Sequence, residues 1–209
     1  MFKSKYSNDQ QCLSDLVTVK KVSAAEAANL INVLLFKNMT EDWGDVNSDD
    51  PFDSEQKKWV DKYRDSHYLL FTIKNIAESA MHESNLSDDN LFFIAYYSGS
   101  PIGALLLSLR NSPDSGIASH VDIPIIKYVA THCGIRDCGV ILIEYVVNES
   151  LRLGKGGKLK CEILEAVRNL YLNMGFIEIL PLVMQLDPNE SPVWHFVNGA
   201  YKYKGFKTN

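Results

Sequence analysis

The residues best placed to do chemistry lie in one loop and the helix that follows it. After Thr131 the chain reads His132-Cys133-Gly134-Ile135-Arg136-Asp137-Cys138-Gly139 and then turns apolar at helical spacing, with Val140, Ile143, Val147 and Leu151 on one stripe and Leu142 and Val146 beside it. The first amides of a helix have no intrahelical acceptor, and the helix dipole favours negative charge there. A phosphate-bearing ligand therefore suits this loop. Gly154 stops the helix, Leu159 to Leu164 reads as a strand, and Ala166, Val167, Leu170, Tyr171 and Met174 give a short second helix closed by Gly175.

Other signals carry less. Gly154-Lys155-Gly156-Gly157-Lys158 has the composition of a phosphate loop but not its spacing, and it sits between a helix and a strand. It reads as a helix stop and a turn. The four cysteines, at 12, 133, 138 and 161, show no C-x-x-C spacing and no partner set for zinc, so no metal is expected. They read as reduced thiols of an intracellular, cytoplasmic protein. Cys133 and Cys138 flank the loop, yet only His132 stands near enough in sequence to activate either. His67, His82 and His195 read as structural or exposed, and Trp194 as a core residue.

The loop and the segment Leu170-Tyr171-Leu172-Asn173-Met174-Gly175-Phe176 together resemble the GNAT superfamily of N-acetyltransferases. That family has a loop of the form Gln/Arg-x-x-Gly-x-Gly/Ala after its fourth strand and a Leu-Tyr-x-x-x-Gly-Phe segment later. Gly139 takes the final glycine position of the loop. Asp137 stands where the middle glycine is usual and Gly134 where Gln or Arg is usual, with Arg136 next to it. The loop is thus degenerate, while the second motif is intact. The resemblance implies an α/β fold with a mixed sheet of six to seven strands, helices on both faces, and a fourth and fifth strand that splay apart. It implies acetyl-CoA as cosubstrate. Val129, Ala130 and Thr131 would pair with its pantetheine arm, and Gly134, Arg136, Asp137, Cys138, Gly139 and Val140 would form the pyrophosphate loop. Asp137 is a liability there, because a carboxylate repels a pyrophosphate.

Acetyl transfer from a thioester to an amine requires loss of an amine proton, stabilisation of an oxyanion, and protonation or tolerance of the departing thiolate. The resemblance assigns the last task to Tyr171 as general acid, and the oxyanion to a backbone N–H near Val129 to Thr131. A general base is harder to find. The family's glutamate in the fourth strand is missing from Ile123-Pro124-Ile125-Ile126-Lys127. Asp122, His120 and Glu162 are the candidates, each of them more simply read as a solvated or hydrogen-bonded surface group, and a water chain is the alternative.

The remaining sequence frames this site. The chain has 209 residues, 46% of them hydrophobic, which suits a single domain over 15–209 behind a polar tail at 1–14. No apolar run is long enough for a bilayer, no signal peptide is visible, and a net charge of -5 disfavours nucleic acid as a partner. Leu16 to Val22 reads as a strand, and Ser23 to Glu26 as a capping box opening a helix that buries Ala27, Leu30, Ile31, Leu34 and Leu35. Glu41, Asp42, Asp45, Asp49, Asp50, Asp53 and Glu55 follow without a basic residue among them. Such a segment either keeps the protein soluble or draws a cationic amine acceptor to the cleft. Two further helices are expected, one with Trp59, Val60 and Tyr63 and one with Leu69, Ile73, Ile76 and Ala80. Strands follow at Leu91 to Tyr97, Pro101 to Arg110 and Ile117 to Thr131, and Ile177 to Leu186 with Val193 to Tyr203 forms a last hairpin. The functional expectation is an N-acetyltransferase acting on a primary amine of a protein, peptide or small cationic molecule. The alternatives are a catalytically degenerate GNAT-like module that binds CoA or another protein, and a toxin that acetylates aminoacyl-tRNA.

Overall fold

The computed structural model describes residues 16–39, 54–82, 89–110 and 123–205. His120, Asp122, the tail at 1–14 and the acidic stretch at 40–53 lie outside the described residues. Strand β1 is Val17–Val22. Ser23 ends it in extended backbone and caps α1, Ala24–Val33, by accepting a hydrogen bond from the Glu26 amide. The helix continues through a wider π turn, Leu34–Asn38, closed by Met39 N–H donating to Leu34 O.

The two helices expected after the acidic segment are one helix, α2, Ser54–His82. Its inward positions explain why. Trp59, Tyr63, Leu70, Ile73, Ala77 and Ala80 fall on one continuous stripe of alternating three- and four-residue steps, with Ser66 filling the gap between Tyr63 and Leu70. Reading the apolar groups separately on either side of Ser66 splits a face that is unbroken.

Strands β2 (Asn90–Tyr97) and β3 (Ser100–Ser108) form a hairpin and are buried on both faces over most of their length. Their apolar runs are therefore continuous rather than alternating. Strand β4 is Ile125–Thr131, α3 is Cys138–Arg152, β5 is Leu159–Glu162 and α4 is Arg168–Asn173, the last preceded by a 3-10 turn, Glu165–Val167. The expected last hairpin is two hairpins. Strands β6 (Ile177–Leu180) and β7 (Val183–Leu186) pair with each other, and so do β8 (Trp194–Val197) and β9 (Ala200–Tyr203).

Seven strands make one mixed sheet in the order β1-β2-β3-β4-β5-β7-β6, and β8-β9 stands apart from it. Helices α1 and α2 cover one face, where Ala27, Ile31, Leu35, Leu70 and Ile73 meet Phe92, Ile94, Ala104 and Leu106. Helix α3 covers the other, where Cys138, Leu142, Val146 and Val147 meet Phe93, Leu105, Leu107 and Ile126. No described helix is long and apolar enough to cross a membrane.

Candidate active site

The one parallel junction of the sheet is also its weakest. Strands β4 and β5 pair only at Ile125 with Lys160 and Ile126 with Cys161, supported by Lys160 N–H donating to Pro124 O at 3.0 Å. Beyond that point β5 stays with β7, while β4 continues to Thr131 against β3 alone. A bulge marks the parting. The β3–β4 register slips between Leu106 and Leu107, which leaves Lys127 without an opposite number. The alternation of side chains resets there: Ile126 and Val129 pack on the α3 face, Tyr128 and Ala130 on the α2 face. From Lys127 to Thr131 the β5-facing edge of β4 has no neighbouring strand among the described residues. Such an edge needs partners from solvent or a ligand.

Helices α3 and α4 both follow the carboxyl ends of this parallel pair, the usual place for a ligand crevice in an α/β sheet. The loop to α3 is held from both sides. His132 N–H donates to Ile102 O, and Gly134 N–H donates to His132 Nδ1 at 3.2 Å. The proton of the ring is thereby placed on Nε2, which donates to Asn38 O at 3.1 Å. Lys62 of α2 donates from Nζ to Cys133 O at 2.8 Å. Gly103 lets α3 settle close by: a Cβ there would stand 3.2 Å from Cys138 Sγ and 3.0 Å from Thr131 Cγ2.

Asp137 adopts the left-handed conformation at φ 60 and makes no side-chain cap bond, although its carbonyl accepts the first helical bond, from Ile141 N–H at 3.1 Å. Among the described residues, the amides of Cys138, Gly139 and Val140 have no acceptor. A Cβ added at Gly139 would meet only Thr131 Cγ2, at 4.0 Å. Among the described residues, nothing else fills the space above Gly139. Gly134, Arg136 and Asp137 are exposed around it. These features fit a phosphate-bearing group held on the α3 amides; the Asp137 carboxylate works against it. That carboxylate lies on the β9 side, where it adds to burial in pushing the Tyr203 hydroxyl up.

Tyr171 is 5% exposed in the core cluster that also holds Cys138, Cys161, Ile163 and Phe176. Its ring meets Phe176 edge-on at 5.1 Å. Burial, with Cys161 beside it, pushes its hydroxyl above the ordinary tyrosine value. The thiols of Cys138 and Cys161 are pushed up to about 12 by burial, which keeps them protonated and removes them as nucleophiles. Glu162 is exposed at the end of β5 opposite Val183. The structure thus gathers Val129–Thr131, Cys138–Val140 and Tyr171 at one end of the sheet, with Glu162 on the adjoining strand end.

Sequence reasoning missed two residues of this region. Lys62 stands among exposed charged residues of α2, and nothing in its spacing marks the Cys133 carbonyl as its partner. Lys160 is 2% exposed on β5, where a strand of alternating character would place it in solvent. No group of metal-ligating side chains occurs among the described residues.

No family model and no curated protein matches the sequence. Solved structures match it in shape. A GNAT-family protein of Desulfovibrio desulfuricans superposes with a TM-score of 0.51 and 12% identity, over 82% of this chain and 98% of that one. The PaiA N-acetyltransferase of Thermoplasma acidophilum, in complex with coenzyme A, gives 0.41 and 16% over 81% and 96%. A variant of the AtaT toxin, bound to the C-terminus of the antitoxin AtaR and acetyl-CoA, gives 0.45 and 12% over 81% and 92%. The mixed sheet with its parted parallel strands defines a class of α/β protein. This chain has the GNAT fold.

Proposed function

We propose that the protein is an N-acetyltransferase that moves the acetyl group of acetyl-CoA to a primary amine by direct attack in a ternary complex. The observation that carries this reading is the coincidence, at one end of the sheet, of a β4 edge and three amides at the start of α3 that are unpaired among the described residues. An elongated ligand with an amide-rich arm and a phosphate group is complementary to that pair of features.

Acetyl-CoA supplies the activated acyl group. On this reading Val129–Thr131 offer backbone groups to the pantetheine arm and an N–H to the oxyanion. Cys138, Gly139 and Val140 offer amides to phosphate, and Arg136 adds a nearby cation. Tyr171 faces the departing sulfur. Because burial raises its hydroxyl, it holds its proton firmly and serves best as a hydrogen-bond donor to the forming thiolate. The amine proton goes to solvent through Glu162, or through Asp122 or His120, which precede β4 in the chain. The acceptor is a cationic amine, with a peptide or protein lysine or N-terminus favoured, drawn by the acidic segment from Glu41 to Glu55.

Asp137 favours a second reading, a module that binds CoA without catalysis or binds a protein. One experiment separates them: calorimetric titration with acetyl-CoA, then thiol release from acetyl-CoA with a panel of amines. Binding with amine-dependent release supports the enzyme, and binding without release supports the module. Absence of binding overturns both CoA readings. In an active protein, Tyr171→Phe lowers turnover by roughly ten- to ten-thousandfold while acetyl-CoA affinity stays near wild type. Normal turnover in that variant would make Tyr171 a packing residue.

A further inference from the structure

We propose that the β8–β9 hairpin is a positioning element for Tyr171, tying the helix that carries it to the helix that carries the phosphate loop. The geometric part of this inference stands on its own; its catalytic consequence rests on the acetyl-transfer reading above.

The hairpin lies outside the seven-stranded sheet, and the edge of β9 that faces away from β8 takes its partners from α3. Asn148 receives the Tyr201 amide on Oδ1 at 2.8 Å and donates from Nδ2 to the Tyr201 carbonyl at 3.0 Å. The side-chain amide thus stands in for a neighbouring peptide. One turn earlier, Glu144 accepts from Tyr203 N–H at 2.9 Å and from Lys202 Nζ at 2.8 Å. One side of the hairpin is therefore fixed to α3.

The other side is fixed to the end of α4. A helix of six residues leaves its last carbonyls without intrahelical donors. Trp194 Nε1 donates to Met174 O at 2.7 Å, a buried bond, and the Tyr203 hydroxyl donates to Asn173 O at 3.1 Å. The chain entering β8 crosses directly over Gly175. That residue has φ 84, and a Cβ there would collide with Ser191 Oγ and Val193 Cγ2. The glycine of the Leu-Tyr-x-x-x-Gly-Phe segment is thus required by the hairpin's approach as well as by its own backbone.

These ties reach Tyr171 by short routes. Its carbonyl accepts from Met174 N–H and Phe176 N–H, both at 3.1 Å, and its ring rests on Phe176. No hydrogen bond holds its hydroxyl among the described residues. The direction of the hydroxyl is therefore set by packing and by where α4 is held, and the hairpin holds it. Tyr171 is the group that touches the reacting atoms in this scheme, so Trp194 and Tyr203 are positioning residues.

Two conservative variants test this. Trp194→Phe keeps an aromatic ring and removes one donor; Tyr203→Phe removes one hydroxyl. The expected result is a fall in kcat of roughly ten- to a hundredfold, with the KM for acetyl-CoA within about twofold. In a Tyr171→Phe background the same changes alter kcat by less than about twofold, because the group they position is gone. Independent, multiplying losses overturn the proposal. A second readout needs no activity. With tyrosine labelled at the ring carbon bearing the hydroxyl, the Tyr171 signal is assigned by its loss in Tyr171→Phe. It moves in Trp194→Phe and in Tyr203→Phe if the hairpin sets its environment, and an unmoved signal overturns the idea. A moved signal in a protein that transfers no acetyl group counts against the enzymatic reading and leaves the hairpin's role in place.

Discussion

Lys62 Nζ donates a 2.8 Å hydrogen bond to the carbonyl of Cys133, joining α2 to the loop that opens α3. Its charge also opposes the upward push that burial gives the Cys133 thiol. Lys62→Met keeps the stem and removes the donor. A bond from a charged donor contributes about 1.5–3 kcal/mol where it is well shielded, and an exposed lysine gives the lower end or less. Coenzyme A affinity should fall by roughly three- to tenfold, with the melting temperature lowered by about 5 °C at most. Calorimetric titration of both proteins checks this, and an unaltered dissociation constant would mean that the tie does not shape the loop.

Gly139 separates the needs of the fold from those of a ligand. Among the described residues, only Thr131 Cγ2, at 4.0 Å, approaches a Cβ placed there. Gly139→Ala should fold as well as wild type or slightly better, since alanine favours a helix over glycine by about 1 kcal/mol. Gly139→Glu should also fold, yet its carboxylate would occupy the space over the α3 amides and repel phosphate. The expected pattern is intact unfolding transitions in both variants and lost coenzyme A binding in the glutamate variant. Retained affinity in folded Gly139→Glu would place the phosphates elsewhere.

The fold was legible in the sequence wherever one element declared itself by its own period. Helix α3, with Val147 and its neighbours on a single face, is an example, and so is the β2–β3 hairpin with its apolar runs. The order of elements was read from such patterns, whereas a mixed sheet of six to seven strands and the parting of β4 from β5 followed from the resemblance that those elements and the Leu170–Phe176 segment supported. What failed was tertiary. The union of two stripes into α2 depends on the small Ser66 at one inward position. The separate β8–β9 hairpin depends on Asn148 and Glu144, which read as an ordinary polar helix face. The site was legible as a loop and a tyrosine, but not as an environment. The bonds from Lys62 and His132 to backbone carbonyls span 71 and 94 positions, and no local pattern encodes such partners.

Burial fixes the protonation of Tyr171 and hence its signature in a pH profile. Its hydroxyl lies above the ordinary tyrosine value of 10 because the charged form is penalised inside the core. The protonated form is therefore complete at every pH below about 10. The kcat profile should show no alkaline limb from this group in that range. Tyr171→Phe should lower the whole profile without moving an acid limb, which belongs to the amine or its base. Measuring kcat from pH 6 to pH 10 in both proteins tests this. An alkaline limb below pH 9 that vanishes in the phenylalanine variant would show that the hydroxyl ionises more easily than its burial allows.

Glu149 makes acid stability the last prediction. It is 7% exposed on α3, between Arg152, whose Nε and Nη2 donate at 2.7 and 2.6 Å, and Lys21 of β1, whose Nζ donates at 3.1 Å. Arg152 first and Lys21 second hold its carboxyl below the ordinary value, against the opposing effect of burial. A carboxyl lowered in the folded state binds protons more readily when unfolded. Its contribution is therefore whole above the unfolded value, about 4.3, and is lost as pH falls through the lower folded value. Glu149→Gln keeps the shape and removes the charge. It should be less stable than wild type by about 1–3 kcal/mol at pH 7, with the gap closing toward pH 3. Lys21→Met should do less, because that lysine is 41% exposed, but it should loosen β1 from α3 in the same pH window. Urea unfolding at pH 7, 5, 4 and 3 gives the comparison. If wild type and Glu149→Gln run parallel down to pH 3, the ion pair is not what ties the edge strand to the helix.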